Sequence, residues 1–123
     1  MEYERMTMTP ARLNEYEAGA RHSDARIAVP YERIADFCRH YNLAWLALFG
    51  SVIRDDFTPE SDVDVLVDFL PELPLPGLKF YWDMPNELSE MFGGRKVDLH
   101  TPDSLSKYFV QEVLEEAEVI YVA

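Results

Sequence analysis

A glycine turn between two strand-like segments constrains the fold of this chain most. Residues 44–49 form an almost wholly apolar run, which is typical of a strand buried on both faces. Gly50 follows at once, and a glycine lets the backbone turn sharply. Residues 62–69 then place valines and a phenylalanine at every second position, the period of a half-buried strand. The pattern predicts a strand, a tight turn and a second strand.

The other face of the second strand carries two carboxylates. Asp62 and Asp64 are two residues apart, so their side chains point the same way, with Cα atoms about 6 to 7 Å apart in extended backbone. Two like charges at that spacing repel each other unless a cation lies between them. Both acids are therefore predicted to bind Mg²⁺ or Mn²⁺, as one ion or a bridged pair.

The turn before these acids has the features of an anion site. Gly50 leaves room for a ligand to approach the main chain, and the Ser51 hydroxyl can point at an anion. If residues 51–55 form a helical turn, their free N–H groups favour negative charge at the same point. A triphosphate beside a divalent metal suits this arrangement.

A third candidate ligand lies in a later segment. In residues 95–100, Val97 and Leu99 alternate with polar residues, which predicts a short strand with Asp98 on its polar face. Asp98 joins the other two acids if the two strands are neighbours. No Cys or His spacing typical of zinc is present, so oxygen ligation of Mg²⁺ or Mn²⁺ is favoured.

These motifs resemble those of the nucleotidyltransferase superfamily that includes DNA polymerase beta. Its signature is Gly-Ser, a spacer, Asp-x-Asp, and a third acid on a later strand. The chain is most similar to the minimal nucleotidyltransferases, the antitoxin half of HEPN/MNT toxin–antitoxin pairs, which often read Gly-Ser-x-x-Arg and then Ser-Asp-x-Asp. Arg54 and Ser61 stand at the matching places. Asp55 departs from the pattern, because relatives commonly carry glycine there.

The resemblance implies a Mg²⁺-dependent adenylyltransferase with ATP as its substrate. It implies transfer of AMP to a hydroxyl, that of a tyrosine on a HEPN ribonuclease toxin, which silences the toxin. The implied catalytic residues, which also bind two Mg²⁺ ions, are Asp62, Asp64 and Asp98, and the implied nucleotide-binding residues are Gly50, Ser51, Arg54 and Ser61. From the residues alone, Arg54 could instead pair with a neighbouring Asp.

Two other functions stay open on the sequence. The chain could neutralise its partner by binding alone, although the intact acids at 62, 64 and 98 count against that. It could also be a small-molecule nucleotidyltransferase that works as a dimer, with the acceptor bound between subunits.

Length and charge limit the class of protein. A chain of 123 residues with one cysteine fits a single domain without disulfides. No signal peptide or membrane-length apolar run is apparent, so we expect a cytoplasmic protein. The net charge of −12 argues against direct binding of DNA or RNA and favours docking to a basic protein surface.

The remaining patterns predict the element order. We expect an N-terminal arm over residues 1–28, with a helix running from Thr9-Pro10 towards Arg21, and a minimal nucleotidyltransferase domain over residues 29–123. The expected helices cover about 30–40, 79–92 and 101–117, and the expected strands cover 44–49, 62–69, 95–100 and 119–122. This order fits an α/β (α+β) fold, a small mixed β-sheet packed by helices, and the resemblance implies the polymerase beta-like nucleotidyltransferase fold.

Three consecutive aromatic residues can be interpreted in two ways. Phe80, Tyr81 and Trp82 could form a platform for a base, but consecutive aromatics more often enter the core, so we expect core positions.

Overall fold

A computed structural model describes residues 9–15 and 25–123. Within these ranges four strands form one sheet in the order β3-β2-β1-β4. The strands are β1 (Leu43–Phe49), β2 (Val63–Phe69), β3 (Val97–His100) and β4 (Glu118–Val122), and the α-helices are α1 (Tyr31–His40), α2 (Asp83–Met91) and α3 (Val110–Glu116). Shorter 3-10 helices cover Ala11–Glu15, Gly50–Ile53, Gly77–Phe80 and Pro102–Ser104.

The sheet is mixed because its connections differ in length. β1 pairs antiparallel with both β2 and β4, whereas β2 and β3 run parallel. A parallel pair needs a crossover, and α2 supplies it between β2 and β3. β1 lies in the middle of the sheet, which explains why almost all of its residues are apolar and buried. The predicted fold class is confirmed.

The two faces of the sheet have separate apolar clusters. The larger cluster joins α1 and α2 to the valines of β2, and includes Ile34, Leu46 and Leu88. The smaller cluster joins α3 to the opposite face through Trp45 and Leu114. Leu66 belongs to this smaller cluster, so the acids two and four residues before it face the same side of the sheet as α3.

Three expected helices have different bounds in the structure. The expected turn over residues 51–55 is a 3-10 helix, Gly50–Ile53. The helix expected over 79–92 is α2, which starts at Asp83 after a separate 3-10 turn. Pro85 does not break α2, because it lies in the first turn, where its missing N–H has no intrahelical partner to lose.

The helix expected over 101–117 is wrong in its first half. Ser104 accepts the backbone N–H of Thr101 through its hydroxyl and donates its own N–H to the Thr101 carbonyl, which closes a short 3-10 turn. Leu105 then adopts extended backbone, with φ −89° and ψ 152°. The α-helix therefore forms only at Val110–Glu116.

The expected core position of the aromatic cluster is wrong for two of its three residues. Phe80 is half-buried against the larger cluster, but Tyr81 and Trp82 are each 71% exposed. Leu75 and Leu78 are exposed as well, and Leu75 lines a cleft with Tyr41 and Asn42, just before β1. Since β1 has seven residues, this cleft lies about 20 Å from the Gly50 end of that strand.

Much of the N-terminal arm falls outside the described residues, and so does most of the helix expected towards Arg21. The part described forms a 3-10 helix, Ala11–Glu15, directly after Pro10, and the Leu13 N–H donates to the Pro10 carbonyl at 3.1 Å. Residues 25–30 pass beside the Gly50–Ile53 turn, where the Arg26 N–H donates to the Val52 carbonyl at 2.8 Å. The division of the chain at residue 28 stays a prediction.

Two further features concern the single cysteine and the length of the helices. Cys38 is fully buried on α1, and burial raises the pKa of its thiol above the ordinary value. Among the described residues, no helix is both long enough and apolar enough to span a bilayer.

The apolar core provides a first test. Leu46 is 0% exposed in the middle of β1, so we expect Leu46→Ala to lower the free energy of unfolding by about 2 to 5 kcal/mol, the usual cost of such a cavity. Leu78 is 79% exposed, and Leu78→Ala should change it by no more than about 0.5 kcal/mol. Urea denaturation of both variants measures the difference, and similar losses would contradict the described packing.

Candidate active site

The turn after β1 is built around a contact between Gly50 and Asp64. Gly50 has a φ of +77°, a conformation that side chains other than glycine rarely adopt. A Cβ atom at this position would lie 2.3 Å from Oδ2 of Asp64. The side of Gly50 on which a side chain would project is therefore filled by a carboxylate of the protein itself. This contact fixes the turn against β2.

Strand pairing brings the third acid to the same place. β2 and β3 are parallel neighbours, and their register sets Asp64 directly beside Asp98. On the other side, Asp64 pairs with Phe49, the last residue of β1. Asp62 lies just before the first residue of β2. The condition that the sequence left open, that the two strands be neighbours, is met.

The three acids interact electrostatically. Asp64 is half-buried, and burial raises the pKa of its carboxyl above the ordinary value, with further upward contributions from the charges of Asp98 and Asp62. The charges of His100 and Arg54 act in the opposite direction but do not cancel the rise in this pKa. Holding Asp64 ionised at neutral pH therefore costs free energy, and a bound cation would offset that cost.

The donor set fits a hard divalent cation. It consists of carboxylate oxygens on one face of the sheet, the ligands that Mg²⁺ and Mn²⁺ prefer. The side chains are not drawn together around a common point, since within residues 9–15 and 25–123 no three His, Cys, Asp or Glu side chains are close enough to hold a metal. Repulsion among like charges favours such spreading, and a cation would oppose it.

The proposed nucleotide-binding residues are distributed around this point. Gly50 and Ser51 open the 3-10 turn that faces Asp64. Arg54 lies close enough to act on Asp64, but its partners are acids, Asp56 at 3.4 Å and Glu116 at 3.6 Å. Both ion pairs are largely exposed, so they hold Arg54 only weakly.

Ser61 lies in the loop before β2. Its hydroxyl accepts the Thr58 N–H at 2.9 Å, and its own N–H donates to the Thr58 carbonyl at 3.0 Å. The hydroxyl thus closes a turn of residues 58–61. The structure gives Ser61 a role in shaping this loop, and its contact with nucleotide stays a prediction.

Some residues near the acids were not selected from the sequence. The ammonium nitrogen of Lys96 lies 4.0 Å from Oδ2 of Asp62. The ring of Phe49 packs edge-on against the ring of His100, with 5.9 Å between the ring centroids. Arg95 contacts three backbone carbonyls in the loop that precedes Asp62. For this region the sequence gave a signal only for the short strand around Asp98. The contacts of Lys96, His100 and Arg95 depend on tertiary pairing, which local patterns do not predict.

Comparison with known families agrees with this geometry. Residues 32–120 match the family described as "Nucleotidyltransferase domain", a region that includes the Gly50 turn and all three acids. The chain belongs to this nucleotidyltransferase family. The predicted superfamily and the predicted class of enzyme are thus confirmed.

Curated relatives are named for one branch of nucleotidyltransferase chemistry. The candidate protein adenylyltransferase MJ1379 of Methanocaldococcus jannaschii is 38% identical over 82 residues, which are 67% of this chain and 79% of that protein. Protein adenylyltransferase MntA of Thermococcus cleftensis is 36% identical over 77 residues, 63% of this chain and 72% of that protein.

Solved structures share the fold of this nucleotidyltransferase. A structure described as a minimal nucleotidyltransferase superposes with a TM-score of 0.57 at 26% identity, over 71% of this chain and 85% of that chain. A toxin–antitoxin crystal structure with AMP-PNP superposes with a TM-score of 0.60 at 23% identity, over 77% and 75% of the two chains. At 23% identity, the likeness to the AMP-PNP structure shows a shared fold alone.

The Gly50 contact can be tested with a matched glycine. Gly93 has nearly the same φ, +75°, but nothing lies within 4 Å of a Cβ built there. We expect both Gly50→Ala and Gly93→Ala to lower the free energy of unfolding by about 1 to 2 kcal/mol, the cost of a left-handed alanine. Only Gly50→Ala should also displace the Asp64 carboxylate and abolish nucleotidyl transfer. Full activity in Gly50→Ala would contradict the assigned contact.

The raised pKa of Asp64 predicts a stability effect with a definite sign. Below the ordinary value of 3.8 the carboxyl is neutral in both the folded and the unfolded state; as pH rises through the folded-state pKa, stability is lost. Asp64→Asn should therefore raise the free energy of unfolding at pH 7 in EDTA, and this gain should shrink as pH falls towards 3.8.

The control is the same denaturation with Mg²⁺ in excess. A cation held by Asp64 stabilises the wild type more than Asp64→Asn, so the difference between the two should narrow or reverse. A wild type that is the more stable protein in EDTA at pH 7 would contradict the assigned electrostatics.

Proposed function

We propose that this nucleotidyltransferase transfers AMP from ATP to a hydroxyl group, that of a tyrosine on a partner HEPN ribonuclease, and thereby acts as an antitoxin. The observation that carries the proposal is the register that sets Asp98 beside Asp64, with Gly50 under the same carboxylate. The names of the curated relatives, protein adenylyltransferases, support AMP as the transferred group.

The acids would hold the metal, and the turn would hold the leaving group. Asp62, Asp64 and Asp98 would bind Mg²⁺, two ions in the full site, which would neutralise charge on the triphosphate and lower the pKa of the attacking hydroxyl. Gly50 and Ser51 would bind the β and γ phosphates, close to the acids because Asp64 contacts Gly50. In the transfer, the acceptor hydroxyl loses its proton to water, its oxygen bonds to the α-phosphorus, the bond from that phosphorus to the bridging oxygen breaks, and pyrophosphate leaves.

Arg54 and Ser61 are proposed to assist nucleotide binding. Arg54 is half exposed in weak ion pairs with acids, so it could exchange these partners for a phosphate, which an Arg binds in a bidentate manner. Ser61 would act at the end of the loop that leads into Asp62.

Charge supports a protein acceptor rather than a nucleic acid. A net charge of −12 repels phosphate backbones and favours association with a basic protein surface. The solved toxin–antitoxin assemblies of similar fold include one described as MntA-HepT, with a TM-score of 0.52. A HEPN-type toxin in the cytoplasm, with its reactive tyrosine placed at the acids, is the partner that we propose.

The exposed apolar surface favours a second candidate function, neutralisation by binding alone. Four large apolar side chains within residues 75–82 are 69 to 79% exposed, Leu75, Leu78, Tyr81 and Trp82, and exposed apolar surface of this kind is typical of a protein contact site. This surface is remote from the acids, so a partner held there would be bound whether or not transfer occurs. The alternative predicts that Asp64→Asn still protects cells from the toxin.

Labelled ATP tests the proposed reaction directly. Wild-type protein, Mg²⁺ and the partner should give a labelled partner from α-labelled ATP but not from γ-labelled ATP, because AMP is transferred and pyrophosphate leaves. Asp64→Asn should lower the rate by at least about 100-fold, since a group that orients reactants is worth that much or more. Peptide mass spectrometry then locates the modified residue.

Asp68→Asn is the matched control. Asp68 lies on the same face of β2, four residues beyond Asp64, and its Oδ1 accepts the Phe69 N–H at 2.9 Å. Asparagine keeps that acceptor oxygen, so the variant should transfer AMP at close to the wild-type rate. No label with the wild type, or equal label with Asp64→Asn, would refute the proposed activity.

A further inference from the structure

The side chain of Arg95 gathers the carbonyls of the loop that leads into the acids. Its Nη1 atom lies 3.2 Å from the Thr58 carbonyl, 3.1 Å from that of Pro59 and 3.3 Å from that of Ser61. Hydrogen bonds from a charged donor are stronger than those between neutral groups. One guanidinium nitrogen therefore holds three carbonyls within residues 58–61 of a largely exposed loop.

An aromatic ring also contacts the same guanidinium. The central carbon of the Arg95 guanidinium lies 4.6 Å from the centroid of the Phe57 ring, within the range of a cation–π contact. Phe57 in turn packs against the larger apolar cluster. Arg95 is thus fixed between the core and the loop, and its contacts in the described part of the chain are with carbonyls and a ring.

The position of Arg95 is itself fixed by the end of α2. The Gly94 N–H donates to the Ser89 carbonyl at 2.8 Å, and both Gly93 and Gly94 have positive φ. The chain then turns into β3 two residues after Arg95. The same short segment therefore carries the residue that holds the loop and the strand that carries Asp98.

The loop decides where Asp62 lies. Asp62 precedes the first paired residue of β2, so no ladder hydrogen bond of its own fixes its backbone. The residues on either side fix the position of Asp62 instead. Ser61 belongs to the turn that Arg95 holds, and the Val63 N–H donates to the Lys96 carbonyl at 2.9 Å. Asp64, by contrast, is fixed in the sheet on both sides.

We propose that Arg95 is a positioning residue for nucleotidyl transfer, which acts by holding residues 58–61 so that the carboxylate of Asp62 is presented beside Asp64. This inference rests on the proposed function. Arg95 contacts neither metal nor substrate in this role. A displacement of about 1 Å in a reacting group can reduce the rate about 100-fold, so a loop anchor of this kind has a catalytic consequence.

Three variants test the inference. Arg95→Ala removes the anchor, and Arg95→Lys keeps a cation with three donors for the three carbonyls. Arg39→Ala is the matched control, because Arg39 is an exposed arginine paired with Asp36 on α1, at the end of the sheet remote from the acids. The readouts are amide hydrogen exchange of Thr58 and Ser61 without metal, since both N–H groups are hydrogen-bonded within the turn, and kcat and KM for ATP in the labelling assay.

We expect faster exchange of these amides in Arg95→Ala, with a fall in kcat of about 10- to 100-fold and a smaller change in KM. Arg95→Lys should recover most of the exchange protection and most of kcat, and Arg39→Ala should match the wild type in both. Unchanged exchange in Arg95→Ala would overturn the inference. So would faster exchange with wild-type kcat, because Arg95 would then be a structural anchor only.

Failure of the proposed function is distinguishable from failure of this inference. If the wild type transfers no AMP, the proposed function fails, and the exchange rates still decide whether Arg95 holds the loop. If Arg95→Ala does not fold, Arg95→Lys carries the test. The inference would be overturned if a folded Arg95→Lys variant had normal exchange but a kcat as low as that of Asp64→Asn.

Discussion

The site depends on the contact of the Asp64 carboxylate with Gly50. It joins the end of β1 to the middle of the acidic face, and it is possible only because residue 50 has no side chain and adopts a left-handed conformation. The turn that is proposed to bind phosphates and the acid that is proposed to bind metal are therefore a single unit. A change at either one alters the other.

Electrostatic cost accompanies this arrangement. Burial and two neighbouring carboxylates raise the pKa of Asp64, so the folded protein holds a charge that is more stable in the unfolded chain. The remainder of the fold must supply that free energy, and the densely apolar strands on the opposite face of the sheet are suited to it. Perturbed acids of this kind are more common at functional sites than elsewhere.

Sequence reasoning succeeded where a signal is local. The period of two in β2, the apolar run of β1 and the glycine between them fix each strand, because strand periodicity and the conformational freedom of glycine act within a few residues. The pairing of Asp64 with Asp98 needed one further condition, that β2 and β3 be neighbours. The residues alone did not supply that condition, although the family resemblance implied it.

Predictions failed where tertiary contacts decide. Residues 101–104 were interpreted as the start of a helix that runs to about residue 117, but the Thr101–Ser104 hydrogen bonds close a 3-10 turn of three residues there. Tyr81 and Trp82 were assigned to the core because they are consecutive aromatics, yet they connect the 3-10 turn Gly77–Phe80 to α2 and are exposed. Arg95 gave no signal, since its partners lie more than thirty residues away in sequence.

The order of strands has a consequence for how the acids behave over time. β3 has four residues and lies at the edge of the sheet, with one neighbouring strand in the described part of the chain, whereas β2 is flanked on both sides. Short edge strands open locally far more often than central ones. Asp98 should thus leave and rejoin the other acids through brief local opening, while Asp64, which is paired on both sides, stays in place. The local opening of β3 would then set the fraction of time for which all three acids lie together.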